Sequence, residues 1–562
     1  MKVSCSSVKI PLIFGAAGHR DIPIVGREEM EACVRGELIR YQQKFPHTPL
    51  ILLSQLSPGA DRLLAAWATR PESTVKLTIV EVEGRSASTD DPDPMLEDLR
   101  KRAKEVIVLR SPDGASLRHG GAFIARQSQV LLALWDGRDT PESHTAQVIR
   151  WQREGGPDED AEPLGLLDKV ECGPVCHVTT GRANQSESVG KVRLEWLYPV
   201  DKHRDQTPEQ AAEGWEKFLG QINEFNADLD RLSAKPALTA NLDKSAGYLL
   251  PADKASLLSE PLQATRLQHA AADTLAQHFQ KKVKSTHWLL LGMIFLAGVA
   301  FATYAHFLIE HPTLLLVYLG IVCGAWGLTS WVSQRHYHRK WLDYRAMAEA
   351  MRVEFFWKLA GLPLTAADHY LRNLRSEVDW IRAAIRAWEI SSGYYSPAVS
   401  TSETSPSHLD WCQEYWVKNQ EDYFLKKAKE NHKSHKIAEG LTKWAFRLGI
   451  GFSVALLGYQ LATQHPSHPL IVAMVLSSLV AALLHHAETT AGYSMLARSY
   501  EWMHGLYSLA RNQLDDLMTD PAANRSQAQS LIKELGREAL AENGYWLLYH
   551  RERPPRLPHV EG

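Results

Sequence analysis

This sequence is short of net charge and of clustered cysteines, and each shortage excludes a class of function. Its 62 basic and 65 acidic side chains leave a formal charge of −3, so the composition gives no reason to expect a nucleic-acid partner. The six cysteines are scattered, and only Cys172 and Cys176 lie close together. No second pair completes a zinc site. We therefore expect no bound metal, and reduced thiols of the kind found in cytoplasmic proteins.

The N-terminal residues do not have the pattern of a secretion signal. Lys2 is basic and residues 10–18 are apolar, but this run is short and leads directly into Gly-His-Arg-Asp and an amphipathic helix. A buried first strand is the better interpretation. We expect the N-terminal half to be a soluble region inside the cell.

Two long stretches of the chain lack Asp, Glu, Lys and Arg. The first covers 285–309 and, after a break at Glu310-His311-Pro312, continues over 313–333. A bilayer core of about 30 Å needs about 20 residues of helix, so we predict membrane spans at 288–308 and 313–333. Because the turn between them is short, the two spans should form an antiparallel hairpin.

The second uncharged stretch runs from Leu448 to Ala487 and is interrupted by a proline-rich turn. It predicts a second hairpin, with spans at about 448–464 and 470–486. These spans are shorter and more polar than the first pair. The alternative is a buried core hairpin of a soluble helical domain.

The charges that flank the first hairpin predict its orientation. Lysines and arginines occur on both sides of it, at Lys281, Lys282, Lys284, Arg335, Arg339 and Lys340, and the connecting turn has none. By the positive-inside bias, both flanks lie in the cytoplasm. We expect a multi-pass protein in a lipid bilayer, with its N- and C-termini in the cytoplasm.

Polar residues inside the spans are few, and none is a carboxylate, so a proton-relay transporter is not favoured. Gly320 and Gly324 form a small-xxx-small pair that lets helices approach closely. That approach could be within a hairpin or between subunits. The amphipathic helix after the second span, from Trp341 to Leu359, likewise suits packing within its own domain or subunit contact.

The first 200 residues alternate strand-like and helix-like segments. Helices are predicted from about Arg27 and from Thr145 to Gln152. Strands are predicted at Val8–Phe14, Pro49–Leu53, Leu77–Val82, Val106–Leu109 and Gln129–Trp135. This order, with glycine at the strand ends, predicts an α/β fold with a parallel doubly wound sheet.

The chemistry of such a sheet lies at the carboxyl ends of its strands. Gly15 and Gly18 let the backbone approach a phosphate beside a helix N-terminus, and His19 and Arg20 add charge-assisted hydrogen bonds. After the second strand, Gly59 has a similar backbone role. Asp61 can accept from a ribose hydroxyl or cap its own helix. Asp136 and Gly137 end a third strand, where a simple turn is the alternative.

The motifs at these strand ends resemble the SLOG family, a Rossmann-like group related to DprA and to the LOG phosphoribohydrolases. They are Gly18-His19-Arg20, Ser57-Pro-Gly-Ala-Asp61-Arg62 and the run from Ile124 to Gly137. The resemblance adds Ser57, Arg62 and Thr145 to the ligand-binding residues. It implies a nucleotide-derived ligand, such as a cyclic nucleotide or an ADP-ribose-type molecule, and no other cofactor.

The first hairpin with the helix that follows it, Tyr344-Arg-Ala-Met-Ala-Glu349-Ala-Met-Arg352, is similar to the SLATT two-span effector domain. The second hairpin repeats this plan more weakly, between a charged helix near 413–437 and an aromatic helix near 493–509. The pairing implies a homo-oligomeric effector of bacterial anti-phage defence. In it, a nucleotide signal would gate a pore or membrane disruption in the cytoplasmic membrane.

The sequence differs from the LOG enzymes at one loop that matters for catalysis. LOG enzymes have a Gly-Gly-x-Gly-Thr-x-x-Glu loop, and the matching residues 142–148 keep Thr145 but lack the glycines and the carboxylate. Because general acid–base chemistry needs a titratable group there, we expect a binding domain without catalytic residues. The alternatives are a membrane-anchored NAD or nucleotide-processing enzyme, using His19, Asp61 and Asp136, and a scaffold without a ligand.

These interpretations divide the chain into five segments. They are a SLOG-like domain at 1–205, a helical linker at 206–255, a first SLATT-like region at 256–390, a linker at 391–410 and a second SLATT-like region at 411–562.

Overall fold

The structure is a computed structural model that describes residues 8–83, 94–109, 117–156, 171–183, 192–199, 206–233, 236–370, 378–395, 406–520 and 524–553. Cys5 and residues 396–405 of the predicted linker lie outside these ranges. The chain has two compact units, Met1–Ala272 with Met347–Thr404, and Asp273–Ala346 with Ser405–Gly562. The five predicted domain boundaries stay predictions.

A mostly parallel sheet forms the centre of the first unit. Within the described residues it has seven strands, in the order β4-β3-β2-β1-β5-β6-β7, and only β7 is antiparallel to its neighbour. The strands are β1 Leu12–Gly18, β2 Leu50–Ser54, β3 Lys76–Val82, β4 Glu105–Leu109, β5 Val130–Trp135, β6 Val175–Thr179 and β7 Leu194–Leu197. The α/β class and the parallel sheet are therefore confirmed.

The helices that connect these strands form two groups. Helix α2 contacts both α1 and α3, and α4 contacts α5. From β1, the sheet extends through β2 and β3 to β4 on one side, and through β5 and β6 to β7 on the other. Right-handed crossovers then put the two groups on opposite faces. The helices are α1 Arg27–Lys44, α2 Ala60–Ala68, α3 Pro94–Arg102, α4 Leu117–Gln127 and α5 His144–Glu154.

Four of the predicted strands are confirmed to within one residue, and the first is present but begins and ends four residues later than predicted. Strand β1 is Leu12–Gly18 rather than Val8–Phe14. The backbone of Ile10 instead bonds to the amide side chain of Asn226, which accepts from its N–H at 2.9 Å and donates to its carbonyl at 2.8 Å. Trp388 Nε1 donates to the Val8 carbonyl at 3.1 Å. Side chains from distant helices thus replace a neighbouring strand at these residues.

The helices that bring these side chains to the sheet also belong to the first unit. Buried ion pairs connect three of them. Arg386 lies 2.7 Å from Asp368, and Lys358 lies 3.2 Å from Glu389. The helices are α6 Pro208–Ser233, α7 Pro236–Gly247, α8 Ala252–Ala255, α12 Ala366–His369 and α13 Asp379–Ser391, with the ends of two longer helices, α9 and α11.

Long apolar helices make up the second unit. Among the described residues, four helices are long and apolar enough to cross a membrane, which confirms that property of both predicted hairpins. The elements are α9 Glu260–Phe307, α10 Pro312–Gln334, α11 Tyr337–Leu359, α14 Pro406–Trp411, a π-helical segment Cys412–Lys418, α15 Asn419–Thr463, α16 His468–Ala491, α17 Tyr493–Leu517 and α18 Arg525–Arg551.

The second pair of apolar helices does not form a buried core. Val454, Leu457 and Leu461 of α15 are 65%, 59% and 69% exposed. The exposed apolar surface of α15 begins at Ile437, well before the predicted start at 448. The alternative of a buried hairpin inside a soluble domain is therefore wrong for this chain.

The two hairpins pack against each other along α9 and α16. The rings of His287 and His486 lie 6.1 Å apart, and those of His306 and His468 lie 5.8 Å apart. Between these pairs, a Cβ on Gly298 would overlap the side chain of Leu479. The contacts run in opposite directions along the two helices, so α9 and α16 are antiparallel over about 30 Å.

A short break separates the second span from the helix that follows it. Helix α10 ends at Gln334, and His336 has a φ of 51° before α11 begins at Tyr337. Met347, Met351 and Phe355 of α11 are buried within the chain. Packing within the chain therefore accounts for the apolar face of α11.

Replacing Asn226 by alanine should lower the stability of the first unit. The change leaves the buried N–H and carbonyl of Ile10 without partners, and each such group costs about 1–3 kcal/mol. We expect a clear fall in the thermal unfolding midpoint of the purified chain. Asn431→Ala removes a side-chain bond to the Lys427 carbonyl on a more exposed helix and should have little effect. Equal effects of the two changes would contradict this account of β1.

Candidate functional site

The predicted site residues converge at the carboxyl ends of β1 and β5, where the strand order reverses. Gly18 at the end of β1 is paired with Leu134 near the end of β5. His19 and Asp136, which follow these strands, are therefore neighbours. In open α/β sheets, ligands bind in the crevice beside such a reversal.

His19 and Asp136 are bound to each other. Nε2 of His19 lies 3.1 Å from the Asp136 carboxylate and 3.2 Å from its backbone nitrogen. Arg182 Nε donates to the same carboxylate at 3.0 Å. Burial lowers the pKa of His19 even though Asp136 opposes this change. Burial alone would raise the pKa of Asp136, but bonds from the Arg138 N–H and from His19, with the charge of Arg182, lower it. The pair is thus a neutral imidazole beside an ionised carboxylate.

Arg182 was missed by the sequence interpretation. It lies after β6, far along the chain from Asp136, and no motif surrounds it. Only the pairing of β5 with β6 brings it to the carboxylate.

The loop between β2 and α2 is held by its own polar residues. The Asp61 carboxyl accepts hydrogen bonds from the backbone and side chain of Ser57, and burial raises its pKa from 3.8 to about 7. Arg62 Nε donates to the Leu56 carbonyl at 2.9 Å. Asp61 and Arg62 are both 7% exposed. Asp61 therefore bonds to the loop before α2 and does not cap the helix, and its predicted contact with a ribose hydroxyl stays a prediction.

The glycines of the motifs allow close packing between loops and helices. Gly59 has a φ of 89°, and a Cβ on it would overlap the backbone of His19 and Arg20. Gly15 lies inside β1, not beyond its end, and a Cβ there would overlap Ile124 and Ser128 of the segment around α4. At Gly18 it would overlap Ala60. These contacts explain why glycine is needed at the three positions, even without a ligand. The predicted role of these glycines in ligand binding stays a prediction.

Helix α5 begins beside the end of β1. Thr145 Oγ1 donates to the Gly18 carbonyl at 2.9 Å, and Ser143 caps the helix by accepting from the Ala146 N–H at 3.2 Å. Gly137, with a φ of 80°, turns the chain after Asp136. The sequence interpretation missed Ser143, although a serine just before a helix is a common N-cap.

Arg20 is a charged residue of the site that a ligand can reach. Its side chain is exposed and makes no ion pair with the described residues. Burial lowers the pKa of His144 at the start of α5, and the positive charges of Arg20 and Arg118 lower it further. Two arginines therefore act on the N-terminus of α5, where backbone N–H groups and the helix dipole also favour an anion.

The described residues contain no group of three or more His, Cys, Asp or Glu side chains that could hold a metal. Cys176 is buried inside β6, whereas Cys172 is exposed before it.

Comparison of the chain with profiles of known protein families, with curated proteins and with solved structures finds no match. The SLOG and SLATT resemblances therefore depend on the motifs alone.

The stability of the chain should depend on pH through Asp61. Because the folded state raises the pKa of this carboxyl from 3.8 to about 7, its contribution is complete below pH 3.8 and is lost as pH rises through about 7. The loss is of the order of 2–4 kcal/mol in the free energy of unfolding. Asp61→Asn removes this dependence, so its unfolding midpoint should rise relative to that of the unchanged chain between about pH 5 and pH 8.

Asp139→Asn is the matched control, because Asp139 is exposed and paired with Arg150 at the surface. A constant difference between Asp61→Asn and the unchanged chain across this pH range would contradict a protonated Asp61.

Proposed function

We propose that this chain is a ligand-gated membrane effector. Its crevice at the ends of β1 and β5 would bind an anionic, nucleotide-derived signal, and its apolar hairpins would form a pore or disrupt the membrane. The observation that supports this most is the exposed, unpaired Arg20 at the reversal of strand order. The same chain contains four helices of span length.

The charge of the crevice favours an anion as the ligand. Arg20 and Arg118 lower the pKa of His144, so the start of α5 is a region of positive potential. A phosphate there would receive charge-assisted bonds from arginine and from backbone N–H groups. An ADP-ribose-type molecule or a cyclic nucleotide supplies such a phosphate, and both agree with the SLOG resemblance.

Gating requires that the ligand bind one state better than the other. Helix α9 begins at Glu260 in the first unit and ends at Phe307 after the first apolar span. In this proposal, ligand binding to the first unit changes the packing of the first hairpin. We propose a homo-oligomer in the bacterial cytoplasmic membrane, with the sheet and both termini in the cytoplasm, acting in anti-phage defence.

Membrane leakage provides the direct test. The chain is reconstituted into liposomes that contain a self-quenching dye, and ADP-ribose, cyclic AMP or cyclic GMP is added. We expect one of these ligands to increase dye release, and Arg20→Ala to weaken the response about tenfold or more, since a charged hydrogen bond contributes about 1.5–3 kcal/mol. Leakage that never responds to any of the three ligands in folded protein would contradict the proposal.

Arg150→Ala is the matched control for this experiment. Arg150 is also an arginine near the sheet, on α5, but it is paired with Asp139 at 2.5 Å. Its loss should leave the ligand response unchanged. A similar fall for both variants would indicate a general charge effect and not a site at Arg20.

A nucleotide-processing enzyme is the second candidate, and the buried Asp61 is the observation that favours it. A carboxyl whose pKa is about 7 is suited to general acid–base catalysis at neutral pH. Turnover of NAD or of nucleoside monophosphates that is lost in Asp61→Ala, but kept when the spans are disrupted, would support this candidate over the effector. Absence of turnover in the unchanged chain would exclude it for these substrates.

A further inference from the structure

The first unit contains a cavity of about 330 Å³. It lies at the end of the strands opposite the candidate site. Its lining includes Gln129, which precedes β5, and Glu171 and Cys172, which precede β6. It therefore lies at the amino ends of these strands, whereas His19 and Asp136 lie at the carboxyl ends. Helices α4, α6 and α13 supply most of the remaining wall. This cavity is distinct from the candidate site described above.

The aromatic residues of the wall suit a flat ring. Trp215 stacks on Phe218, with their ring centroids 4.6 Å apart and their planes at 16°. Trp380 also lines the cavity. Aromatic side chains of this kind stack with nucleobases without regard to base sequence.

The charge and the size of the cavity narrow the ligand class. The cations Arg126 and Arg386 in the lining are both paired with Asp368, and Arg386 is also paired with Glu171. Lys217, which is exposed and makes no ion pair with the described residues, is therefore the charge that favours an anion. A volume of about 330 Å³ lies at the lower end of the range for small-molecule pockets. It suits one ring with one charged group and is small for a dinucleotide.

We propose that this cavity is a second ligand site, which binds a planar aromatic anion of about mononucleotide size. The ring packs against Trp215, and the anionic group of the ligand lies near Lys217. This site is independent of the crevice that the proposed function uses.

Binding of radiolabelled AMP to the full-length chain in detergent, measured by equilibrium dialysis, tests this inference. Trp215→Leu should weaken AMP binding about tenfold, because stacking on one aromatic side chain contributes an effect of this order. Trp215→Phe keeps an aromatic ring of smaller area, and should give an intermediate affinity. Ribose 5-phosphate, which has the phosphate but no ring, should compete poorly.

Three controls make the result decisive. Trp502→Leu changes a tryptophan that is 57% exposed on α17 and should leave AMP binding unchanged. Lys217→Glu reverses an exposed charge at the cavity and should weaken binding even if the Trp215 variants fold poorly. Arg20→Ala should leave this binding intact, which separates the cavity from the crevice.

Absence of AMP binding, or binding that survives both Trp215→Leu and Lys217→Glu, would overturn the inference and indicate that water alone fills the cavity. Binding that is lost in Arg20→Ala but kept in the cavity variants would assign AMP to the crevice, and would also overturn it.

Discussion

The candidate site depends on how the backbone of Gly18, His19 and Arg20 is held. The His19 N–H donates to the Leu134 carbonyl at 3.1 Å, and the His19 carbonyl accepts from the Ala60 N–H at 2.9 Å. Gly59 packs directly on this backbone, and the Gly18 carbonyl accepts from Thr145. Strand β5 and helices α2 and α5 therefore meet at three consecutive residues. Because these contacts occupy the backbone, the side chain of Arg20 is what the junction presents to solvent.

The order of the elements could be predicted because it is encoded locally. Strands β2 and β5 are buried along their whole length, so each is an uninterrupted apolar run with turn residues on either side. The start of β1 could not be predicted in this way. Ile10 is bonded to Asn226, and Val8 to Trp388, across separations of 216 and 380 residues. No local pattern reveals that these two apolar residues bond to side chains and not to a strand.

The same distinction applies to the hairpins and to the site. Span length and the absence of charge are local properties, and they predicted four apolar helices. The antiparallel contact of α9 with α16 joins residues such as Gly298 and Leu479, and it depends on packing between segments far apart in sequence. In the site, the motifs identified His19 and Asp136 but not Arg182, whose place follows from the pairing of β5 with β6. Motifs locate strand ends, and sheet topology decides which other residues reach them.

The net charge of the crevice follows from the environments of its titratable groups. Asp136 is ionised, but it lies against Arg182, so these two charges largely cancel. Burial lowers the pKa values of His19 and His144, which makes both rings neutral near pH 7. Burial also keeps Asp61 partly protonated, since its pKa is about 7. Arg20 then remains as an exposed positive charge near the start of α5. As pH rises above 7, ionised Asp61 would increasingly offset Arg20, so the attraction of the crevice for an anion should be stronger on the acidic side of neutrality.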